Sequence, residues 1–385
     1  MEVRSFKTKD KNRAAANKKQ GLLRHTPGHI DFLLFAAVLC LSLFGLVMMY
    51  SASYYSGQVV YDDPFHYMPT QIGCFAAGLA AMIFIANMKN YQWLRKGAPW
   101  LYLVALALLI ATLFFGGEIN GAKRWIKIGV TFQPSEIAKY AMVLLMATFM
   151  AKNPNRMKSF SKGLLPMLLS VGILCVPIVF QPNMSMTLII CMMAFVMLFI
   201  GGCNLKHIAI LCAVAAVGLG FVIIAEPYRL QRIFAFSDPW QDPLDSGYHT
   251  IQSLYALASG GLFGTGLNFS RQKLLFLTYA ESDYIFAIIG EELGYIGALL
   301  VIAAYVFVIC RGVRIAMRCR DRFGSLLAAG ITIVLGIQTA VNICVTCNLM
   351  PSTGQTLPFI SAGGTSLTIC LAAIGILLNI SKNTE

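Results

Sequence analysis

The stretch LTYAESDYIFAIIGEELGYIG, residues 277–297, sets Asp283, Glu291 and Glu292 inside an apolar run, with Glu281 just ahead of it. Ionised side chains are expensive in hydrocarbon, so a carboxylate in such a place points to function. Asp283 falls where a helix should begin, and a carboxylate there suits the helix dipole, which is the competing structural reading. A carboxylate at such a place can also do general acid–base work. Glu291 and Glu292 lie about two turns deeper on different helix faces, so at most one of them shares a site with Asp283. A second constellation is FQPSEIAKYA, residues 132–141, where Glu136 and Lys139 stand three apart and become neighbours on a helix. Pro134 suits the helix start and Ser135 could help to cap it. A purely structural ion pair is the alternative there.

The elements that must position these residues follow from composition. The chain has 385 residues, 57% hydrophobic and 12% charged, with mean hydropathy +0.69, which excludes an ordinary water-soluble globule. An apolar run of about 20 residues crosses the hydrocarbon layer as one helix. Ten such runs are legible, at 32–51, 70–88, 99–116, 135–151, 163–180, 184–201, 207–225, 284–310, 324–348 and 361–380. The expected fold is therefore an all-α polytopic membrane protein of about ten transmembrane helices, with a large extracytoplasmic loop at about 226–282 between helices 7 and 8. Residues 1–28 read as a basic disordered tail and 29–385 as one membrane domain. Most of the Lys and Arg fall in that tail and in alternate loops (Lys89, Arg95, Lys96; Lys152, Arg156, Lys158, Lys162; Lys206; Arg311 to Arg322; Lys382), which makes that side, with both termini, cytoplasmic. The tail precedes a full-length span without a small-residue cleavage site, so a cleaved signal peptide is not expected. The net charge of +13 is then topology and attraction to anionic lipid, and calls for no nucleic acid.

Most acids, among them Glu118, Glu136, Glu281 and Asp283, fall on the opposite, outer side. The basic residues that escape the cytoplasmic side are Lys123, Arg124, Lys127, Lys139, Arg229, Arg232, Arg271 and Lys273. They run against the positive-inside preference, so either they pair with the outer acids or they receive an anionic ligand. The outer loop carries an expected amphipathic helix near 248–258, packed on the membrane surface, and a Gly-rich piece, SGGLFGTGLNFSRQK, that lacks the Gly-Lys-Ser/Thr of a phosphate loop. The eleven cysteines lie mostly in spans and read as small buried hydrophobes. Cys344 and Cys347 have C-x-x-C spacing without a second pair, so they carry no metal or redox assignment.

Four long motifs, NGAKRWIKIGVTFQPSEIAKYA (120–141), GYHTIQSLYALASGGLFGTGL (247–267), QKLLFLTYAESDYIFAIIGEELG (272–294) and PSTGQTLPFISAGGTSL (351–367), resemble the shape, elongation, division and sporulation family. These are the polytopic peptidoglycan polymerases typified by FtsW, RodA and SpoVE. The resemblance covers about residues 30–380, and QKLLFL with the basic tail is more similar to the division and sporulation branch than to the elongation branch.

The resemblance implies an inverting glycosyltransferase that polymerises lipid II, an undecaprenyl-pyrophosphate-linked disaccharide peptide, at the outer face of the bacterial cytoplasmic membrane. It puts the family's essential aspartate on Asp283. Substrate contacts would come from Lys123, Arg124, Trp125, Gln133, Ser135, Glu136, Lys139, Gln252, Arg271, Gln272, Lys273, Glu291, Thr353, Ser361, Gly363 and Gly364. Lys123, Arg124, Lys139, Arg271 and Lys273 are the candidate clamps on pyrophosphate, with room for a divalent cation, magnesium or manganese, and no organic cofactor. The implied partners are a single-span class B penicillin-binding protein, which is a transpeptidase, and the proteins of a division or sporulation complex. The sequence departs from the family pattern at Asn183 (usually Asp), at Ala362 (usually Tyr), and at Thr278, Tyr279 and Ser282 around the aspartate. A lipid II flippase would use the same anionic ligand but needs ionisable groups along a path through the midplane, and a non-enzymatic scaffold would tolerate the loss of Asp283.

Overall fold

In the computed structural model, residues 29–384 are described, apart from 120–121, 129, 212, 214–217, 219–235 and 246. The expected tail at 1–28, most of the expected span at 207–225, Arg229 and Arg232 lie outside the described residues. The described residues form ten α-helices of twelve residues or more. They are α1 (Phe32–Tyr61), α2 (Met68–Asn87), α3 (Trp93–Phe115), α4 (Pro134–Lys152), α5 (Leu165–Phe180), α6 (Met184–Ile200), α7 (Tyr248–Ser259), α8 (Ile285–Arg318), α9 (Arg322–Thr346) and α10 (Gly364–Ser381).

Seven helices among the described residues are long and apolar enough to cross a membrane: α1, α2, α3, α8, α9, α10 and the segment Phe160–Phe180, a π turn continued by α5. The run expected at 135–151 forms α4, and that at 184–201 forms the shorter apolar α6. One element was not expected. Between α3 and α4 the chain makes a three-stranded antiparallel sheet, β1 (Gly117–Ile119), β2 (Ala122–Ile128) and β3 (Val130–Phe132), in the order β1-β2-β3. The signal for it was in the sequence: Asn120-Gly121 is a hairpin dipeptide, and the strand formers Trp125, Ile126 and Ile128 follow it closely.

Between lipid-immersed helices the driving forces are close packing and internal hydrogen bonds, because lipid is as apolar as leucine. The distribution of burial follows. Of the apolar window of α9, 67% is buried inside the protein, against 22% for those of α2 and α8, so α9 is the central post. It packs on α4, α6, α8 and α10. α10 lies along α2, where Gly375 lets the backbones meet: a Cβ there would stand 2.7 Å from the Met82 carbonyl oxygen. Met142, Met146, Met150, Met193 and Met197 fill the space between α4, α6 and α9. Their unbranched thioethers suit an irregular gap.

Helix α8 is broken by Gly294, whose φ of 68° and ψ of −170° are not helical. At that break the Gly-rich connection crosses the helix. A Cβ on Gly294 would stand 2.3 Å from the amide nitrogen of Gly264, and the amides of Thr265, Gly266 and Tyr295 donate to the carbonyls of Glu291, Glu292 and Gly261. The segment 260–273 is thus stitched onto the first two turns of α8.

Candidate functional site

Asp283 sits on a tight turn ahead of α8. The amides of Ser282, Asp283 and Tyr284 all point at the carbonyl of Tyr279, at 3.1, 3.1 and 3.3 Å. Three successive carbonyls of this turn are then taken by other parts of the chain. Ala362 N–H donates to Glu281 (2.8 Å), Ser361 Oγ to Ser282 (2.6 Å), and Asn342 Nδ2 to Asp283 (2.8 Å). Asn342 also donates to the Gln355 carbonyl (2.7 Å), and Leu357 N–H donates to Ser361 Oγ (2.7 Å). The Asp283 turn and the loop 354–362 therefore form one body fixed to α9. The Asp283 carboxylate lies over Gly354, where an added Cβ would meet Oδ2 at 3.4 Å. Next to it in the turn, burial pushes the Glu281 carboxyl above the usual carboxylate range.

One turn below Asn342, Gln338 repeats the pattern at helical spacing. Its Nε2 donates to the Thr356 carbonyl (3.1 Å), and its Oε1 accepts from Lys139 Nζ (2.6 Å). Lys139 in turn forms an ion pair with Glu136 at 2.6 Å, whose Oε2 also accepts from Ser366 Oγ (2.9 Å). The pairing expected from the spacing of Glu136 and Lys139 is realised, and both side chains are buried. Pro134 occupies the first turn of α4 as expected, but Ser135 does not cap the helix: Gln133 is the N-cap residue, without a side-chain cap bond. The Ser135 hydroxyl is instead buried without a hydrogen-bond partner, and the same holds for Thr353 Oγ1, Thr339 Oγ1 and Asn342 Oδ1. Buried polar atoms are generally satisfied, so the open Asn342 and Thr353 atoms beside the Asp283 turn describe a place that receives water or a ligand.

The remaining candidates divide. Lys273 is buried and bonds Glu292 (2.9 Å), Ser51 (3.1 Å) and the Asn268 side chain, while the Ser51 hydroxyl lies 2.7 and 2.8 Å from the two Glu292 oxygens. Glu291 accepts from the Arg271 amide (2.8 Å), the Gln272 amide (3.4 Å) and the Ser270 hydroxyl. Neither Glu291 nor Glu292 is brought to Asp283; both fasten the 260–273 segment, which gives Lys273 and Glu291 a structural occupation. Gln272 keeps a buried, unpartnered Oε1. Lys123 and Arg271 are exposed, and Lys123, Arg124 and Trp125 ride on β2. Arg124 donates to the carbonyls of Gln181 (3.3 Å) and Pro182 and lies 6.0 Å from the centre of the Trp125 ring. Gln252 is half-buried on α7, whose Ser253 donates to the Thr346 carbonyl (2.8 Å). That helix spans Tyr248–Ser259 as expected, but it packs on α8. Gly363 donates its amide to Gln71 Oε1 (3.4 Å), and Gly364 opens α10 against Cys74.

Two of the departures are accommodated locally. Asn183 caps α6 by accepting from the Met186 amide (3.3 Å), as an aspartate would. Thr278 pairs with His249 Nδ1 at 2.7 Å, and the His249 ring lies beside Tyr279 and Tyr284. The sequence reading missed Asn342, Gln338 and Ser366. Their signal was available, since Gln338 and Asn342 are amides four apart in an otherwise apolar span, where polar groups are costly. As for a metal, no group of three His, Cys, Asp or Glu side chains converges among the described residues.

A bundle of membrane helices whose buried carboxylates and amides gather at one end, around a rigid acidic turn, defines a polytopic membrane protein built to present charged groups at that end. The chain belongs to the FtsW/RodA/SpoVE family of cell cycle proteins, whose family model matches residues 31–385. It is 39% identical over 355 residues to stage V sporulation protein E of Bacillus subtilis (strain 168), covering 91% of this chain and 97% of that protein. It is 37% identical over 361 residues to the probable peptidoglycan glycosyltransferase FtsW of Geobacter sp. (strain M18), covering 93% and 98%. Both relatives come from the division and sporulation branch that the sequence pointed to. Among solved structures it resembles a chain of a peptidoglycan synthase complex described as coordinating polymerization and crosslinking, with TM-score 0.75, 27% identity, and 91% and 97% of the two chains covered. The rod shape determining protein RodA of Thermus thermophilus shares the fold, with TM-score 0.68 at 24% identity over 94% and 99% of the two chains.

Proposed function

We propose that this chain is a peptidoglycan glycosyltransferase that polymerises lipid II, with Asp283 as the general base. The observation that carries the reading is the Asp283 turn, held by three carbonyl hydrogen bonds and bordered by Gly354 and the buried, unpartnered Thr353 hydroxyl. A sugar hydroxyl of one substrate loses its proton to the Asp283 carboxylate as its oxygen bonds to the anomeric carbon of the other. The bond from that carbon to the phosphate oxygen breaks on the opposite face, which inverts the anomeric centre, and undecaprenyl pyrophosphate leaves with the electron pair. A pyrophosphate leaves without a paired general acid once its charge is compensated, so one carboxylate suffices, unlike glycoside hydrolysis.

Lys123, Arg124 and Arg271 are the cations best suited to that compensation, because Lys139 and Lys273 already neutralise buried carboxylates. A magnesium-type ion is usually held by one or two carboxylates and the substrate's own phosphates, so Asp283 and Glu281 would hold one, and it would neutralise the leaving group. Thr353, Ser361, Gly363 and Gly364 would border the acceptor groove. The carboxylates Glu136, Glu281, Glu291 and Glu292 collect at the Asp283 end of the bundle, which favours a polymerase over a flippase with a charged path through the midplane.

The positive-inside pattern supports a multi-pass protein of the bacterial cytoplasmic membrane with both termini cytoplasmic and this site outside. The complex described as joining polymerization to crosslinking supports a class B penicillin-binding protein as partner. The deciding experiment measures glycan chains made from labelled lipid II by the purified protein, with and without such a partner. Asp283→Asn should lower polymer yield by about 10²-fold or more, the usual worth of a general base, with unchanged folding. Equal yield from the variant would remove Asp283 as the base, and no polymer from the native protein in any combination would reject the reaction.

A further inference from the structure

At the end of the bundle opposite Asp283, the start of α1, the last turns of α8 and the end of α10 enclose a small cavity of about 120 Å³, lined by Asp31, Arg311, Arg314, Ile315, Arg318 and Thr384. Arg311, Arg314 and Arg318 follow one another at helical spacing and share one face of α8. Their neighbour Asp31 is already engaged. It caps α1 by accepting from the Leu34 amide (3.0 Å), accepts from Arg311 Nη2 and Nε at 2.6 and 3.0 Å, and donates its own amide to Ser381 Oγ (3.0 Å). Thr384 is held by a bridge to Cys319 and by its hydroxyl to the Ser381 carbonyl (2.7 Å). The wall is therefore rigid, while Arg314 and Arg318, both exposed, line the cavity and make no hydrogen bond or ion pair among the described residues. The helix dipole and the positive-inside preference account for cations at this end of α8, but not for three of them lining one cavity. Around the rim, Phe32, Leu33, Val313 and Met317 are exposed, as residues bathed in acyl chains are.

We infer that this cavity is a binding site for the phosphate headgroup of an anionic phospholipid, its acyl chains lying on the apolar rim. Two guanidiniums can each meet phosphate through paired N–H donors, and basic pockets at the ends of spanning helices suit anionic headgroups. A bound lipid would tie together the beginning of α1 and the end of α10, the two ends of the membrane domain.

The test uses the full chain in vesicles of equal phosphatidylglycerol and phosphatidylcholine, extracted with delipidating detergent, and measures the ratio of the two lipids retained by native mass spectrometry. The native protein should retain phosphatidylglycerol preferentially. R314Q/R318Q should lose most of that preference, roughly tenfold or more for two cations at a membrane surface. K89Q/K96Q, which removes two exposed cations from the same end outside the cavity, should keep it. If the double variant yields no monodisperse protein, R314Q and R318Q singly should each lose several-fold. Equal retention of both lipids by the native protein, or equal loss in K89Q/K96Q, would overturn the proposal. So would displacement of the lipid by inorganic phosphate but not by chloride at matched ionic strength, which would assign the cavity to a soluble anion.

Discussion

Asp283 owes its placement to what its neighbours' carbonyls bond, and Asn342 is the clearest case. Replacing Asn342 with Leu leaves the carbonyls of Asp283 and Gln355 without their donor. Each buried, unsatisfied carbonyl costs about 1–3 kcal/mol, so N342L should melt measurably lower in detergent and lose polymerase activity. The Glu136–Lys139 pair makes a second prediction. Breaking it from one side leaves an uncompensated buried charge, so Lys139→Met alone should destabilise by about 3–5 kcal/mol, and Glu136→Gln/Lys139→Met should recover most of that loss in the same thermal assay. For Glu281, burial raises the carboxyl. The folded state therefore holds the proton more tightly than the unfolded state. Stability from this group is full below the ordinary carboxylate range and is lost as pH rises through the folded value. Glu281→Gln should flatten that decline, read as melting temperature against pH from roughly 4 to 8.

At the scale of elements, the break in α8 decides how the Gly-rich segment reaches the site. Gly294 has φ +68° and abuts Gly264, itself at φ +82°. Gly294→Ala combines a strained backbone with a clash, and should cost at least about 1–3 kcal/mol. Limited proteolysis should then cut within 260–273, because the Glu291 and Glu292 anchors sit on the same two turns. Cleavage no faster than in the native protein would show that the anchors hold without the break. The sheet between α3 and α4 matters for the same reason: it presents Lys123 and Arg124 from a strand, and Thr365 Oγ1 donates to the Thr131 carbonyl (3.2 Å), tying β3 to α10.

For the whole molecule, the proposed coupling to a crosslinking partner predicts that adding a cognate class B penicillin-binding protein raises polymer yield without changing the yield of Asp283→Asn. The sequence by itself determined much. Apolar run length located nine of the described helices, because hydrocarbon thickness permits few other solutions, while the run at 207–225 lies mostly outside the described residues. The three-residue spacing of Glu136 and Lys139 determined their pairing, since a helix makes such neighbours whatever surrounds it. The long motifs determined the family. Which carboxylate sits in the turn bound to the 354–362 loop and which serve as fasteners was decided only by the tertiary structure. Asp283, Glu291 and Glu292 share one apolar motif in the sequence, yet the last two are bound by backbone amides, Ser51, Ser270 and Lys273 from other stretches of chain. A charge's role depends on the partners that packing delivers to it, and contacts between residues hundreds of positions apart leave no local pattern to read.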